Sequence, residues 1–425
     1  MPAIAIDLTR LITRLSHASP SGIDRVDLAY ARHVLAQPGE RFGLVSTVLG
    51  PRVLDRAGAG AVVDAAASGW EEDRDAQADP IYRGLLTRLG AGPAPTGAAD
   101  PAPHAGSRNR LRVETNLRVL RAGGHEALPQ GTIYLHTSHL RLDRPERFDW
   151  LYDRPDIRPV FFVHDLIPIS HPEYGRPGEG ERHAVRMETM ARHAAHVIAN
   201  SADVAAHFSR HLADRGLLAR PVTVAPLGVE PAFLDAGRAA AAAVSPSKPC
   251  FVACGTIEPR KNHLLLLNLW RSLSADLGER TPHLVLVGRR GWEAENVVDM
   301  LERCPAIREH VTEVGGLSTH GLAALLRGAT ALLMPSFAEG YGIPVVEAAA
   351  CGLPVVASDI PVHREIAQGF AQLLDPLDGP EWRRAILELG EPDSGMRADA
   401  LSLLAGYSPP TWEKHFAVVD PILQS

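Results

Sequence analysis

Residues Ala331 to Glu365, ALLMPSFAEGYGIPVVEAAACGLPVVASDIPVHRE, decide the fold. The apolar run ALLMP reads as a buried strand ending at a turn. Glu339, Gly340 and Gly342 occupy the loop that follows, and Pro344 suits the first turn of a helix. Pro354 to Ser358, PVVAS, reads as the next strand. Two buried strands joined by a helix are a parallel crossover unit, and both faces of such a sheet are covered by helices.

The same alternation extends in both directions. Downstream of residue 249 the runs Cys250 to Gly255, His283 to Gly288 and Val311 to Val314 read as further strands, each followed by helical spacing. In the first half the runs are Ala3 to Asp7, Phe42 to Leu49, Thr132 to His136, Pro159 to Leu166, His196 to Asn200 and Val222 to Leu227. Asp235 to Pro249, DAGRAAAAAVSPSKP, interrupts the series as a linker would. The predicted class is α/β, with two Rossmann-like doubly wound domains facing a central cleft at the carboxyl ends of their sheets. The predicted boundaries are an N-terminal domain over 1–235, a linker over 236–249, a C-terminal domain over 250–405 and a final segment over 406–425.

Composition agrees. A chain of 425 residues predicts two or three domains, each large enough to bury its own core without disulfides or metals. The net charge of −7 argues against nucleic acid as the main partner. No stretch of about 18 apolar residues occurs, and Asp7 interrupts the N-terminus where a signal peptide needs apolar residues, so a cytoplasmic protein is expected. Cys250, Cys254, Cys304 and Cys351 show no metal-ligand spacing and read as reduced thiols. The Gly/Pro/Ala-rich segment Leu89 to Ala105 reads as a surface excursion. After it, SRNRLRVETNLRVLR carries Arg108, Arg110, Arg112, Arg118 and Arg121 among leucines. It reads as a solvated helix or as a peripheral membrane contact.

Two constellations carry chemistry. In the first, the Glu339 to Gly342 loop opens a helix whose N-terminus favours anions, while its glycines let a phosphate approach the main chain. Glu347 lies one helical turn further on, so both carboxylates can border one pocket and accept from sugar or ribose hydroxyls. A hydrolase acid and base pair would instead flank a scissile bond. In the second, CGTIEPRKN, Cys254 to Asn262, Pro259 stiffens a turn before Arg260 and Lys261, a pair able to neutralise a diphosphate leaving group without a metal. The one Asp-x-Asp string, Asp73 to Asp75, has no strand before it and reads as solvated.

Together, GTIEPRKN, LVLVGRRGW, the Pro335 to Glu365 stretch and VHDLIPISHPEY resemble the retaining glycosyltransferases of family 4, which have the two-domain GT-B fold. The likeness is dense from Phe251 to Ile366 and recurs over Asp7 to Val26 and Val160 to Ser201. It implies that Glu339 contacts donor-sugar hydroxyls, that Glu347 holds the ribose, and that Arg260 and Lys261 bind the diphosphate. It implies further that the backbone of Gly340, Tyr341, Gly342 and Ile343 lies along sugar and phosphate, and that His164 in VHDL approaches the donor sugar. Asp165 is open to a capping or a functional role. SPSGIDRV, Ser19 to Val26, resembles the family's first glycine loop, with Gly22 near the phosphates. It departs from the pattern in having Ser21 where many members have a second glycine. YSPPTWEKHFAVV resembles the final helix that returns to the first domain.

The resemblance implies a metal-independent hexosyltransferase without a cofactor, acting on a nucleotide sugar with retention of configuration. EPRKN and GRRGW are similar to bacterial mannosyl- and rhamnosyltransferases of polysaccharide and O-antigen assembly. GDP-mannose is therefore the first donor expected and a UDP- or dTDP-sugar the second, with a glycan or lipid-linked glycan as acceptor. An epimerase or phosphorylase of the same fold would not be expected to combine these motifs. A non-catalytic sugar-nucleotide binder would be expected to lack one of His164, Arg260, Lys261 or Glu339.

Overall fold

Short buried strands alternate with helices along the whole chain. The computed structural model describes residues 1–15, 17, 20–70, 74–91, 105–238 and 246–424, with side chains excepted at 69, 105–111 and 238. The chain forms two units. The first comprises Met1–Glu72, Pro101–Gly228 and Trp412–Ser425, and the second Asp73–Asp100 and Val229–Thr411.

The first unit contains a sheet of seven strands, β1 (Ile4–Asp7), β2 (Arg41–Thr47), β3 (Gly50–Leu54), β4 (Ile133–His136), β5 (Arg158–Val163), β6 (His196–Ala199) and β7 (Val222–Val224), in the order β3-β2-β1-β4-β5-β6-β7. All neighbours are parallel except β2 and β3. The sequence reading carried the Phe42 run on to Leu49 and had no β3. Instead the chain turns at Val48 and Leu49, where the Thr47 hydroxyl donates to Gly50 O over 2.6 Å and Gly50 adopts φ +91°. Pro51 lacks an N–H and is tolerated because β3 is an edge strand. The core on one face gathers Tyr134, Phe148, Phe161, Met187 and Phe208.

The second unit contains β8 (Cys250–Cys254), β9 (His283–Val287), β10 (Val311–Val314), β11 (Ala331–Met334), β12 (Val355–Ser358) and β13 (Gln372–Leu374), ordered β10-β9-β8-β11-β12-β13. Every neighbouring pair is parallel. Phe251, Trp270, Leu333 and Trp382 lie in its core. In each sheet the strand order reverses beside the first strand, between β1 and β4 and between β8 and β11. The crevice outside the carboxyl ends there is where such sheets take ligands.

The boundaries differ from those expected. Helix Pro231–Arg238 belongs to the second unit, where it packs on helices Thr319–Gly328 and Ile343–Ala350. A Cβ on Gly237 would fall 2.1 Å from Ala350 O, so glycine permits that approach. The expected linker lies partly outside the described residues. The strap containing helix Pro80–Arg88, expected in the first domain, also groups with the second unit. Asp79 caps this helix through Ile81 N at 2.8 Å and accepts from Ser318 N at 2.8 Å. Helix Trp412–Gln424, read from sequence as the segment that returns to the first domain, groups with the first unit. There His415 Nδ1–H donates to Pro226 O (2.9 Å), its Nε2 accepts from the Tyr30 hydroxyl (2.7 Å), and Phe416 stacks on His33. Most of the Leu89 to Ala105 excursion lies outside the described residues, as does Asp73. Asp75 accepts from Gln77 N and caps a short turn.

Candidate active site

In the second unit, adjacent strands β8 and β11 bring their following loops together. Phe337 N donates to Arg260 O over 2.8 Å, which ties the two loops main chain to main chain. Glu339 is thereby placed between the two cations. Its Oε1 lies 2.5 Å from Lys261 Nζ and its Oε2 2.8 Å from Arg260 Nη1, while Arg260 Nη1 also donates to Ala338 O (2.9 Å). The side chains of Glu339 and Lys261 are buried, and Arg260 is 21% exposed. Burial alone would raise the Glu339 carboxyl, but Lys261 and Arg260 outweigh it and hold the group well below the usual carboxylate range. Glu339 is therefore an anion at any working pH.

Gly255, at φ +144°, makes room for the lysine, since a Cβ there would sit 3.0 Å from Lys261 Cε. Gly342, at φ +88°, precedes helix Ile343–Ala350, whose first turn has no side-chain cap. Pro344 lies in that turn. Tyr341 and Glu347 are buried. Glu339 does not cap the helix and Glu347 is buried, so neither carboxylate has an ordinary surface role.

Three participants escaped the sequence reading. Glu258, buried, places Oε1 2.6 Å from Arg260 Nε, so one guanidinium spans two carboxylates. Burial pushes the Glu258 carboxyl up, with Arg260 and Lys261 offsetting part of the rise. Its signal was its place two residues before Arg260 in EPRKN. His363 is fully buried beneath the glycine loop; its Nδ1–H donates to Ser358 O (2.9 Å), and a Cβ on Gly342 would meet its Cδ2 at 3.2 Å. His263, buried, is pushed down to about 4 by burial and by Lys261. Nothing in the local pattern distinguished either histidine from a core residue. In the GRRGW segment, Arg290 is engaged on the surface by Glu302 and Glu313.

In the first unit, His164 follows β5 and is buried. Its Nε2–H donates to Thr137 O (2.7 Å), its main-chain N–H donates to His139 Nε2 (3.1 Å), and Asn200 Nδ2 donates to His164 O (2.9 Å). Burial pushes the imidazole down to about 4, so it is neutral with Nδ1 as its acceptor. Asp165 accepts from the N–H of Ile167 (3.1 Å), the first residue of the short helix Ile167–Ser170. Gly22 begins helix Gly22–Ala36. Ser21, the departure from the family pattern, is its N-cap: Ser21 Oγ accepts from Asp24 N, and Asp24 Oδ2 accepts from Ser21 N (2.7 Å). Ser19 lies outside the described residues.

Among the described residues no three His, Cys, Asp or Glu side chains gather as a metal site would require. The four cysteines are free, with Cys250, Cys254 and Cys351 buried and Cys304 half-buried.

Residues 240–388 match the family model for glycosyl transferases group 1. Over 223 residues the chain is 31% identical to the serotype-specific mannosyltransferase WbdA of Escherichia coli, an alignment covering 50% of this chain and 27% of that protein. It is 34% identical to O-antigen chain mannosyltransferase B of Escherichia coli over 160 residues, 37% of this chain and 41% of that one. The chain thus spans between about a quarter and two fifths of these curated relatives. Among solved structures, HepE of Anabaena in complex with UDP superposes with a TM-score of 0.56 at 16% identity, covering 100% of both chains. The chain has the GT-B fold, matches the group 1 glycosyl transferase model over residues 240–388, and is similar to the O-antigen mannosyltransferases.

Proposed function

We propose that this protein is a retaining, metal-independent hexosyltransferase of family 4, which moves a sugar from a nucleotide-sugar donor to a glycan or lipid-linked glycan. The observation that carries the reading is the pairing of Arg260 and Lys261 around Glu339 at the β8/β11 reversal point, beside a helix N-terminus without a side-chain cap. Two fixed cations beside that helix N-terminus form a preorganised diphosphate site. Glu339 then accepts from donor-sugar hydroxyls and Glu347 from the ribose. The main chain of Gly340, Tyr341, Gly342 and Ile343 follows the sugar and phosphate. In the first unit, Gly22 serves the phosphates and the neutral His164 accepts from a sugar hydroxyl.

In the transfer, the bond from the anomeric carbon to the diphosphate oxygen breaks with its electron pair passing to the diphosphate. The acceptor oxygen bonds to the same face of that carbon, and its proton passes to the leaving diphosphate. Arg260 and Lys261 offset the charge that develops, so no divalent ion and no cofactor is required of the reaction.

Similarity to two mannosyltransferases supports mannose, hence GDP-mannose, as first donor, and cell-surface polysaccharide as the product class. The UDP held by HepE supports a uridine nucleotide as the second reading. A cytoplasmic enzyme working at the inner membrane face is supported by helix Ala105–Arg121. Among its described side chains this helix exposes Val113, Leu117 and Leu120 together with Arg112, Arg118 and Arg121. Arg108 and Arg110 lie outside the described side chains. No helix among the described residues is long and apolar enough to cross a membrane. Incubation with GDP-mannose, UDP-glucose and dTDP-rhamnose, with nucleoside diphosphate release measured in the presence and absence of EDTA, tests the reading. Release from one donor, unaffected by EDTA, supports it. Tight binding without release from any would favour a non-catalytic binder.

A further inference from the structure

At the β1/β4 reversal point of the first unit lies a buried polar chain that the transfer described above leaves unused. Asp24 and Asp27 stand one turn apart on helix Gly22–Ala36, and both are buried, at 1% and 2% exposure. Arg10 lies near both, and Arg14 Nε adds a second cation 3.3 Å from Asp24 Oδ1. Arg10 Nε is 2.6 Å from Asp24 Oδ1 but 3.7 Å from Asp27 Oδ2. Asp24 also accepts from Ser21 N and from the Ser21 hydroxyl, each at 2.7 Å. The charge of Arg10 and the capping bonds are thus committed to Asp24.

Among the described residues the Asp27 side chain is left with a single hydrogen bond. Its Oδ1 accepts from Thr137 Oγ1 at 2.7 Å, while Oδ2 accepts none among the described residues. A tie between helix and strand end needs only a neutral amide or hydroxyl, whereas a carboxyl at this depth with one bare oxygen is costly. Groups of that kind gather at functional sites. The second bond of Thr137 supplies the connection: its carbonyl accepts His164 Nε2–H at 2.7 Å, the bond that fixes the imidazole tautomer.

We propose that Asp27 is a positioning residue for the transfer, holding Thr137 so that its carbonyl keeps His164 in the tautomer and orientation that leave Nδ1 as acceptor. The inference rests on the role given to His164 above. Burial raises the Asp27 carboxyl to about 7, with Arg10 and Thr137 offsetting part of the rise and Asp24 and Asp7 adding to it. The groups that face it are Asp7 at the end of β1, Arg10 on helix Thr9–Arg14, Asp24 on its own helix and, through Thr137, His164. Asp24 is held below the usual carboxylate range and His164 is neutral above about 4. Of Asp24, Asp27 and His164, the group brought near neutrality is Asp27.

The test uses the full chain with whichever of GDP-mannose, UDP-glucose and dTDP-rhamnose it consumes, measuring kcat and donor KM from pH 5.5 to 9 alongside the unfolding midpoint. Asp27→Asn keeps an acceptor for the Thr137 hydroxyl and abolishes the ionisation. Thr137→Val removes the hydroxyl at similar volume. Thr137→Val should lower kcat by about tenfold to a hundredfold with the fold retained. Asp27→Asn should keep much of kcat at pH 6 and lose an inflection near pH 7 that the wild type shows. A merely structural Asp27 would leave that inflection in place. If His164→Ala abolishes turnover while Thr137→Val keeps normal kcat and Asp27→Asn keeps the wild-type profile, the proposal is overturned and the role of His164 stands. Normal turnover in His164→Ala, or consumption of none of the three donors, overturns both.

Discussion

Lys261 Nζ lies 2.5 Å from Glu339 Oε1 although 78 residues separate them in the chain. The adjacency of β8 and β11, registered through Phe251 and Ala331, brings their loops together, and Gly255 clears the path of the lysine. Each partner is buried, so neither charge is affordable alone.

Lys261→Ala should therefore lower stability by about 3 kcal/mol, because it strands a buried carboxylate with Arg260 as its remaining cation partner. Glu339→Gln should cost less. The pH dependence has a definite sign. A carboxyl held below its unfolded value of about 4.3 contributes stability that is present above that value and lost as pH falls further. The wild type should lose more stability than Glu339→Gln between pH 5 and pH 3, as read by urea unfolding at each pH.

Gly342→Ala should impair turnover more than stability. A left-handed φ of +88° costs an alanine about 1–2 kcal/mol, and the new Cβ would meet His363 Cδ2 at 3.2 Å. Displacing the loop moves the donor-binding main chain, so we expect turnover at least about tenfold lower with the protein still folded. An unchanged kcat with a lower unfolding midpoint would assign Gly342 to the fold alone.

Asp79 ties the strap of helix Pro80–Arg88 to helix Thr319–Gly328 within the second unit, through Ile81 N and Ser318 N. Asp79→Ala removes the acceptor of Ile81 N, Tyr82 N and the buried Ser318 N, and should cost about 2–3 kcal/mol in urea unfolding. Asp75→Ala, at an exposed turn, should be within about 0.5 kcal/mol of wild type.

Anionic liposomes should bind the protein through the exposed face of helix Ala105–Arg121. Each arginine near such a surface is worth about 1 kcal/mol. Replacing Arg112, Arg118 and Arg121 together by glutamine should weaken binding roughly a hundredfold in co-sedimentation. Binding unaffected by the triple change would remove this face from the interaction.

Most parallel strands were legible because each is an unbroken apolar run, as with Ala331–Met334 and Cys250–Cys254. β3 was not, because its proline and its hairpin turn sit inside what reads as one longer run. β13, with three half-buried residues, has too little pattern to stand out. The unit boundaries were missed for a different reason. The strap anchored by Asp79 and helix Pro231–Arg238 are assigned by long-range contacts, to Ser318 and to Ala350, that local composition does not encode. At the site, Arg260, Lys261, Glu339 and Glu347 were visible as charges at strand and helix ends. Glu258, His363 and Asp27 were not, since their significance lies in burial and in partners that the fold, not the local pattern, sets beside them.

The most direct measurement is nucleoside diphosphate release by wild type, Glu339→Gln and Lys261→Ala, each verified as folded, with the nucleotide sugar the wild type consumes. Turnover at least about a hundredfold lower in both variants, with wild-type release insensitive to EDTA, is the predicted result. Near-normal turnover in both folded variants would contradict it.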